Sequence, residues 1–229
     1  MQSRFGHTGF RLRINLTDRK VLVEDIPEAY ARKWMGGRGF NMEVFFREIP
    51  VDADPWGPET LLLFGVGPIT GTSFPGSRIN ISGKSPHTGY LGDSNAGGHF
   101  SAEMKFAGFD QIVFEGRADK PVYVRIVDHE VEIRDAAHLW NLDTWETQRR
   151  IWKEVTGRSS QGEWVGFGDG RTTQKPAVMA IGPAGEKLAR VGAIIHDAGN
   201  AAGQGGFGAV WGAKNLKAIS VIGTGSVPV

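Results

Sequence analysis

Apolar and polar positions along the chain sort into short periodic runs. Residues 10–16 (FRLRINL) alternate, as a half-buried strand does, and 21–24 (VLVE) return after the polar turn 17–20, which predicts a hairpin. Pro27 opens a predicted helix over 28–35, because proline is tolerated in a first helical turn. A second helix is predicted over 40–48, beyond Gly36-Gly37-Arg38-Gly39. A continuous apolar run predicts a buried strand over 61–66, and further strands are predicted over 79–82, 112–116, 178–181 and 219–222. Residues 99–107 put Phe100, Met104 and Ala107 at helical spacing, with Gly108 as the stop. Residues 122–127 and 129–134 alternate on either side of a turn and predict another hairpin. Residues 138–155, carrying Trp140, Trp145 and Trp152, read as one helix packed by one face. Residues 158–175 read as a mobile polar surface insertion, 182–186 as a turn, and 188–195 as a strand or strand pair. The whole is an α+β plan of many short strands and a few helices.

Two stretches interrupt this pattern with glycine. Residues 192–218 (GAIIHDAGNAAGQGGFGAVWGAKNLKA) hold seven glycines, and 92–98 (GDSNAGG) hold three more. Bare backbone of this kind serves tight turns, positive φ or close approach to another group. Before a helix it also makes an anion cradle, with successive N–H groups aimed at a phosphate. Ordinary turns between strands have the same composition, and 203–208 (GQGGFG) is not a clean dinucleotide fingerprint. The two stretches are followed by similar segments, 105–116 (KFAGFDQIVFEG) and 214–223 (KNLKAISVIG). Two equivalent cradles suit a ligand with two similar halves.

Composition narrows the function. The 229 residues, 40% hydrophobic and 22% charged, suit a globular chain of one large or two small domains. A net charge of +1 offers no basic surplus for nucleic acid. No apolar run is long enough to span a membrane, and the N-terminus lacks a signal-peptide core, so the expected location is cytoplasmic. There are no cysteines, which removes disulfides, a thiol nucleophile and a cysteine-held iron–sulfur cluster from these residues.

The motifs then combine. Residues 34–40 (WMGGRGF), 67–72 (GPITGT), Arg78-Ile79-Asn80, 84–86 (KSP), 95–98 (NAGG), 103–110 (EMKFAGFD), 131–136 (VEIRDA), 181–186 (IGPAGE), 201–203 (AAG) and 208–218 (GAVWGAKNLKA) occur in one order. Together they resemble the N-terminal domain of the tungsten-containing aldehyde ferredoxin oxidoreductases, over residues 8–227. The resemblance implies a single domain, with two β-sheets related by a pseudo-two-fold axis forming the base for a tungsten (or molybdenum) bis-pyranopterin. It also implies a Mg ion bridging the two pterin phosphates. By the same resemblance Arg78 contacts pterin, and Asn95 and Gly97 belong to the loop at one pterin. Asn200, Ala201 and Gly203 belong to the loop at the other. Asn95 and Ala201 would offer backbone carbonyls to Mg. Arg38, set between glycines, is a further candidate for pterin or phosphate, with a surface ion pair as the alternative.

Two departures from the family pattern matter. Asn200 and Gln204 stand where several relatives carry arginine, with Arg190, Lys214 or another chain as the replacement source of positive charge. The stretch 159–175 is also longer than in the best-known relatives. The family's 4Fe-4S cluster is held by cysteines of later domains. The expected partners are therefore cysteine-bearing catalytic domains or a subunit, ferredoxin or another electron carrier, and a second copy of the chain. Electron transfer from an aldehyde to ferredoxin is the implied activity. A non-catalytic cofactor-carrier or assembly subunit stays open beside it. His87, His99 and His196 sit near the cradles and read as structural residues, with His99 and Asp93 orienting Asn95. Glu103 and Lys105 read as a solvated pair or helix support.

Overall fold

A computed structural model describes residues 5–157, 164–167, 170–172, 174–197 and 199–229. The chain runs β1 (Phe10–Asn15), β2 (Lys20–Asp25), α1 (Glu28–Trp34), α2 (Arg38–Glu48), β3 (Leu62–Val66), β4 (Ile79–Lys84), β5 (Leu91–Ala96), α3 (Phe100–Phe106) and β6 (Gln111–Glu115). It continues through β7 (Val122–Val127), β8 (Glu130–Asp135), α4 (Thr144–Thr156), β9 (Val165–Phe167), β10 (Gly170–Thr172), β11 (Ala177–Ile181) and α5 (Pro183–Glu186). The last elements are β12 (Ile194–His196), β13 (Asn200–Ala202), α6 (Phe207–Ala213) and β14 (Leu216–Ile222).

The strands form two six-stranded sheets with one topology used twice. The first has the order β2-β1-β6-β3-β4-β5 and the second β8-β7-β14-β11-β12-β13. In each, a hairpin is followed by an antiparallel three-strand meander and a short helix. The final strand then inserts between them, parallel to the first strand of the hairpin. The register repeats too. Ile79 pairs with Ala96 and Asn80 with Asn95, as Ile194 pairs with Ala202 and Ile195 with Ala201. Asn95 and Ala201 therefore occupy equivalent positions, each next to last on its strand.

The period-2 pattern explains the packing. Leu12, Ile14, Phe64, Ile79 and Ala96 of the first sheet share one core with Val124, Met179, Ile194, Ala202 and Ile219 of the second. Helices α3 and α6 supply Phe100, Met104, Val210 and Trp211 to that core, and the Phe64 and Trp211 rings lie 5.7 Å apart. Outside, α2 lays Val44 over Leu61, Leu63 and Val113. Helix α4 lays Ile151 over Tyr123, Val178, Ala180 and Ala218 on the other face.

Several expectations need correction. Residues 92–96 are a strand, so the glycine-rich loop there shrinks to Gly97-Gly98. The helix expected over 138–155 is broken. A short turn at Ala137–Leu139 leads through Asn141, at φ 68°, to Asp143, whose Oδ1 accepts from Glu146 N at 2.8 Å and starts α4. That side-chain cap competes with continuation of the helix. Of 188–195 only Ile194 and Ile195 are strand, because Leu188 turns at φ 59°. Residues 183–186 form one helical turn. Helix α2 begins at Arg38, two residues early. Within the expected insertion, 158–163, 168–169 and 173 lie outside the described residues, while β9 and β10 pair as an antiparallel hairpin. Glu103 and Lys105 are both buried and do not pair with each other. Glu103 accepts from Gly223 N at 2.9 Å, and Lys105 pairs with the buried Asp110 and donates to the Gly6 carbonyl at 2.6 Å.

Candidate functional site

The last strand of each sheet, β5 or β13, runs into glycines and then into a buried helix. The two junctions meet. Gln204 N donates to Ser94 Oγ at 3.2 Å, and Ser85 Oγ donates to the Gly205 carbonyl at 2.8 Å. A Cβ on Gly97 would stand 3.1 Å from Asn200 Oδ1, and one on Gly98 would stand 2.5 Å from the His196 ring. Gly98 also has φ 85°, a conformation side chains resist. Glycine is thus required where one junction passes over the other.

Five of the seven expected site residues lie on these junctions. Asn95 is half-buried in β5, and Gly97 follows it. Asn200 and Ala201 are in β13 rather than a loop, and Gly203 follows. Ala201 and Gly203 are exposed, and a Cβ on Gly203 would meet nothing within 4 Å. Arg78 precedes β4, one residue beyond the Ile79–Ala96 pair, so it stands at the same end of the ladder as Gly97. It is exposed and has no hydrogen-bond or ion-pair partner among the described residues. Arg38 reaches the area only through its partner, since its guanidinium pairs with Asp93 Oδ2 at 2.5 Å. The ion-pair alternative for Arg38 is the one observed.

Of the two expected replacement cations, Lys214 is engaged in the protein. It is buried and donates to the Gly116 carbonyl at 2.9 Å, and burial pulls its pKa down to about 8. Arg190 is exposed and lies over the Trp56 ring, 5.4 Å from its centre. His99 and Asp93 do not act together on Asn95. His99 Nδ1 bonds Asp197 Oδ2 at 2.7 Å across the junction, whereas Asp93 holds Arg38.

A buried polar relay behind Asn95 was missed from sequence. Arg11 Nε donates to Gln111 Oε1 at 2.6 Å, and Gln111 Nε2 donates to Asn41 Oδ1 at 2.9 Å. Asn41 Nδ2 donates to the Asn80 carbonyl at 3.1 Å and to Asn80 Oδ1 at 3.0 Å. Asn80 Nδ2 then reaches Asn95 Oδ1 at 3.3 Å. Buried and fully satisfied, such a network fixes one arrangement. The available signal was a lone amide, Asn41, inside an apolar helical pattern.

The donor set is mild. It offers backbone groups at the ends of β5 and β13, amides and one unpaired guanidinium, with no nucleophile. Open space over Gly203 and the partnerless Arg78 fit an anionic ligand, and backbone carbonyls of Asn95 and Ala201 fit a hard cation. A phosphate-bearing, magnesium-bridged cofactor is therefore chemically compatible with the residues present.

The family model described as aldehyde ferredoxin oxidoreductase, N-terminal domain, matches residues 11–223. The chain is 44% identical over 226 residues to a tungsten-containing aldehyde ferredoxin oxidoreductase of Pyrococcus furiosus, covering 98% of this chain and 35% of that protein. Its counterpart in Thermococcus kodakarensis is 45% identical with the same coverage. An aliphatic sulfonate oxidoreductase, WOR-like subunit, of Pyrococcus furiosus is 36% identical over 227 residues, 98% of this chain and 36% of that one. Among solved structures, the active site complex BamBC of benzoyl coenzyme A reductase, in complex with 1,5 dienoyl-CoA, superposes with a TM-score of 0.88 at 33% identity. That match covers 97% of this chain and 32% of the other. The chain thus spans about a third of the length of the curated relatives it matches. With the match running from the first hairpin to the last strand, the chain belongs to the aldehyde ferredoxin oxidoreductase N-terminal domain family.

Proposed function

We propose that residues 1–229 are one cofactor-bearing domain, the base on which a tungsten (or molybdenum) bis-pyranopterin lies. The protein it serves would oxidise aldehydes to carboxylic acids and pass electrons to ferredoxin. The observation that carries this reading is the facing pair of equivalent strand–glycine–helix junctions. One cofactor with two similar halves uses two such junctions, and a single-headed ligand does not. Membership of a family with tungsten-containing relatives supports the identity of the group.

When bound, the metal would supply the redox chemistry, and this chain's residues do the holding. Arg78 offers a planar fork of donors to a pterin ring or phosphate. Gly203 leaves its backbone approachable from outside, and Gly97 lets Asn200 of the other junction lie beside it. The Asn95 and Ala201 carbonyls, at equivalent register positions, would be the oxygen donors to Mg. The Arg11–Gln111–Asn41–Asn80 relay holds Asn95 in place. Asp93 keeps Arg38 beside the site as a neutral pair.

Catalysis on this reading needs residues beyond these. A 4Fe-4S cluster needs cysteines, of which the 229 residues hold none. Cysteine-bearing domains or a subunit would supply the cluster and the groups facing substrate. A cytoplasmic location and a homo-oligomer belong to the same reading. Among the described residues, no helix is long and apolar enough to cross a membrane. The second reading, a cofactor carrier without its own catalysis, draws on the absence of cysteine.

The test is metal and pterin content of Arg78→Ala against the parent chain, isolated with whatever co-purifies. The reading expects Arg78→Ala to lose most of its pterin while remaining folded. Unchanged pterin content would overturn the role given to Arg78.

A further inference from the structure

Beside the two junctions lies a cluster with its own chemistry. His99, between Gly98 and α3, and His196 and Asp197, at the end of β12, bring three ligand atoms within 4.8 Å of one another. The imidazole rings of His99 and His196 have centres 4.8 Å apart. His196 is fully buried, while the side chains of His99 and Asp197 are 38% and 22% exposed, which leaves a path from solvent.

The hydrogen bonds fix the tautomer of His196. Its Nδ1 lies 2.9 Å from the Val178 carbonyl, an acceptor only, so Nδ1 carries the proton. Nε2 therefore bears the lone pair. It accepts from Phe100 N at 3.2 Å, yet it also lies 3.0 Å from Asp197 Oδ2. Two electron-rich atoms face each other at contact distance. A second proton on His196 would relieve them at the cost of a charge on a fully buried ring. A cation between the two atoms relieves them as well. A ring nitrogen whose partner N–H is held by a backbone carbonyl is also the usual state of a metal-binding histidine.

We propose that His99, His196 and Asp197 form a site for one borderline transition-metal dication, of the Zn²⁺ or Co²⁺ kind, that clamps the two junctions together. Two imidazole nitrogens and one carboxylate oxygen suit such an ion, whereas Mg²⁺ prefers an all-oxygen set. On binding, the His99 proton shifts from Nδ1 to Nε2 and the freed lone pair turns to the ion. The Phe100 N–H, already without an intrahelical partner, gives up its share of Nε2. The site is separate from the Asn95 and Ala201 carbonyls and does not depend on pterin.

The experiment titrates Co²⁺ into the chelator-treated chain in excess Mg²⁺, following the visible ligand-field bands. The expected result is one Co²⁺ per chain, displaced by Zn²⁺, with affinity at least about ten-fold weaker in His99→Gln and in Asp197→Asn. Both substitutions leave the His196–Val178 bond intact. In the parent chain, Zn²⁺ should shift the imidazole NMR signals of both His99 and His196, a readout that needs no variant. Absence of ligand-field bands, equal affinity in both variants, or unmoved signals from these two histidines would overturn the proposal.

Discussion

Glu103 carries a pH signature that a surface carboxylate would not. It is 2% exposed, and burial, with Asp128 adding to it, raises its pKa from 4.5 to about 7 against the Gly223 N–H bond. Between those pH values the unfolded chain has lost this proton while the folded chain keeps it. The contribution to stability is therefore complete below pH 4.5 and is lost as pH rises through 7. Glu103→Gln keeps the acceptor for Gly223 and removes the titration. Urea unfolding should show the parent losing about 3 kcal/mol relative to Glu103→Gln between pH 4.5 and pH 8. An equal difference at both pH values would contradict the assignment. Asn41 makes the companion case. Asn41→Leu strands Gln111 Nε2 in the core and leaves Asn80 Oδ1 with Ser82 Oγ as its donor, and should cost about 2 kcal/mol by the same measurement. At this level sequence was a partial guide. It singled out Arg78, Asn95 and Ala201, but not that Lys214 would be buried or that Arg38 would find Asp93. Those outcomes depend on partners distant in the chain.

Between elements, the glycine-rich stretch divides into two kinds of glycine. A Cβ on Gly212, inside α6, would lie 2.0 Å from the Gly185 carbonyl of α5, and one on Gly208 would lie 2.7 Å from backbone at Gly192 and Ala193. These glycines let α6 approach protein backbone. Gly203, at φ −93°, is open instead. Helix propensity alone would make Gly212→Ala stabilising. Overlap with backbone reverses this, and Gly212→Ala should lose about 2 kcal/mol in urea unfolding. Gly203→Ala should change stability by less than about 0.5 kcal/mol. Equal effects at the two positions would contradict this division. Bare backbone approaching another group was legible from glycine spacing. Which glycines face protein and which face open space was not, since α5 precedes α6 by a loop and two strands whose path the spacing does not encode. The hairpin strands β1, β2, β7 and β8 were legible from period 2 and β3 from its apolar run, whereas β5 and β13 were not, because glycine, alanine and polar residues fill them. The break at Asn141 was not, because the tryptophan spacing continues through it and the Asp143 cap outweighs it locally.

Across the molecule, the repeated topology gives the site its shape. Residues 105–116 span the end of α3 with β6, and 214–223 the residue capping α6 with β14, so the internal similarity seen in sequence marks corresponding parts. The rest of the repeat is hidden in sequence, since FRLRIN and VYVRIV share a period and little else. The insertion of β6 and β14 into their sheets is long-range and leaves no local trace. Because both halves share one core, the edges carrying Asn95 and Ala201 are held together without a ligand. The similar proteins include an aliphatic sulfonate oxidoreductase, WOR-like subunit, and a benzoyl coenzyme A reductase complex, so membership of the family does not by itself specify a substrate.

If the two junctions jointly hold one two-headed cofactor, tungsten, molybdenum and pterin content of the chain isolated natively with its associated proteins will show it. One tungsten or molybdenum and about two pterins per chain are expected, one pterin for each junction. A well-folded preparation with neither metal nor pterin would contradict this and leave a scaffold without a cofactor.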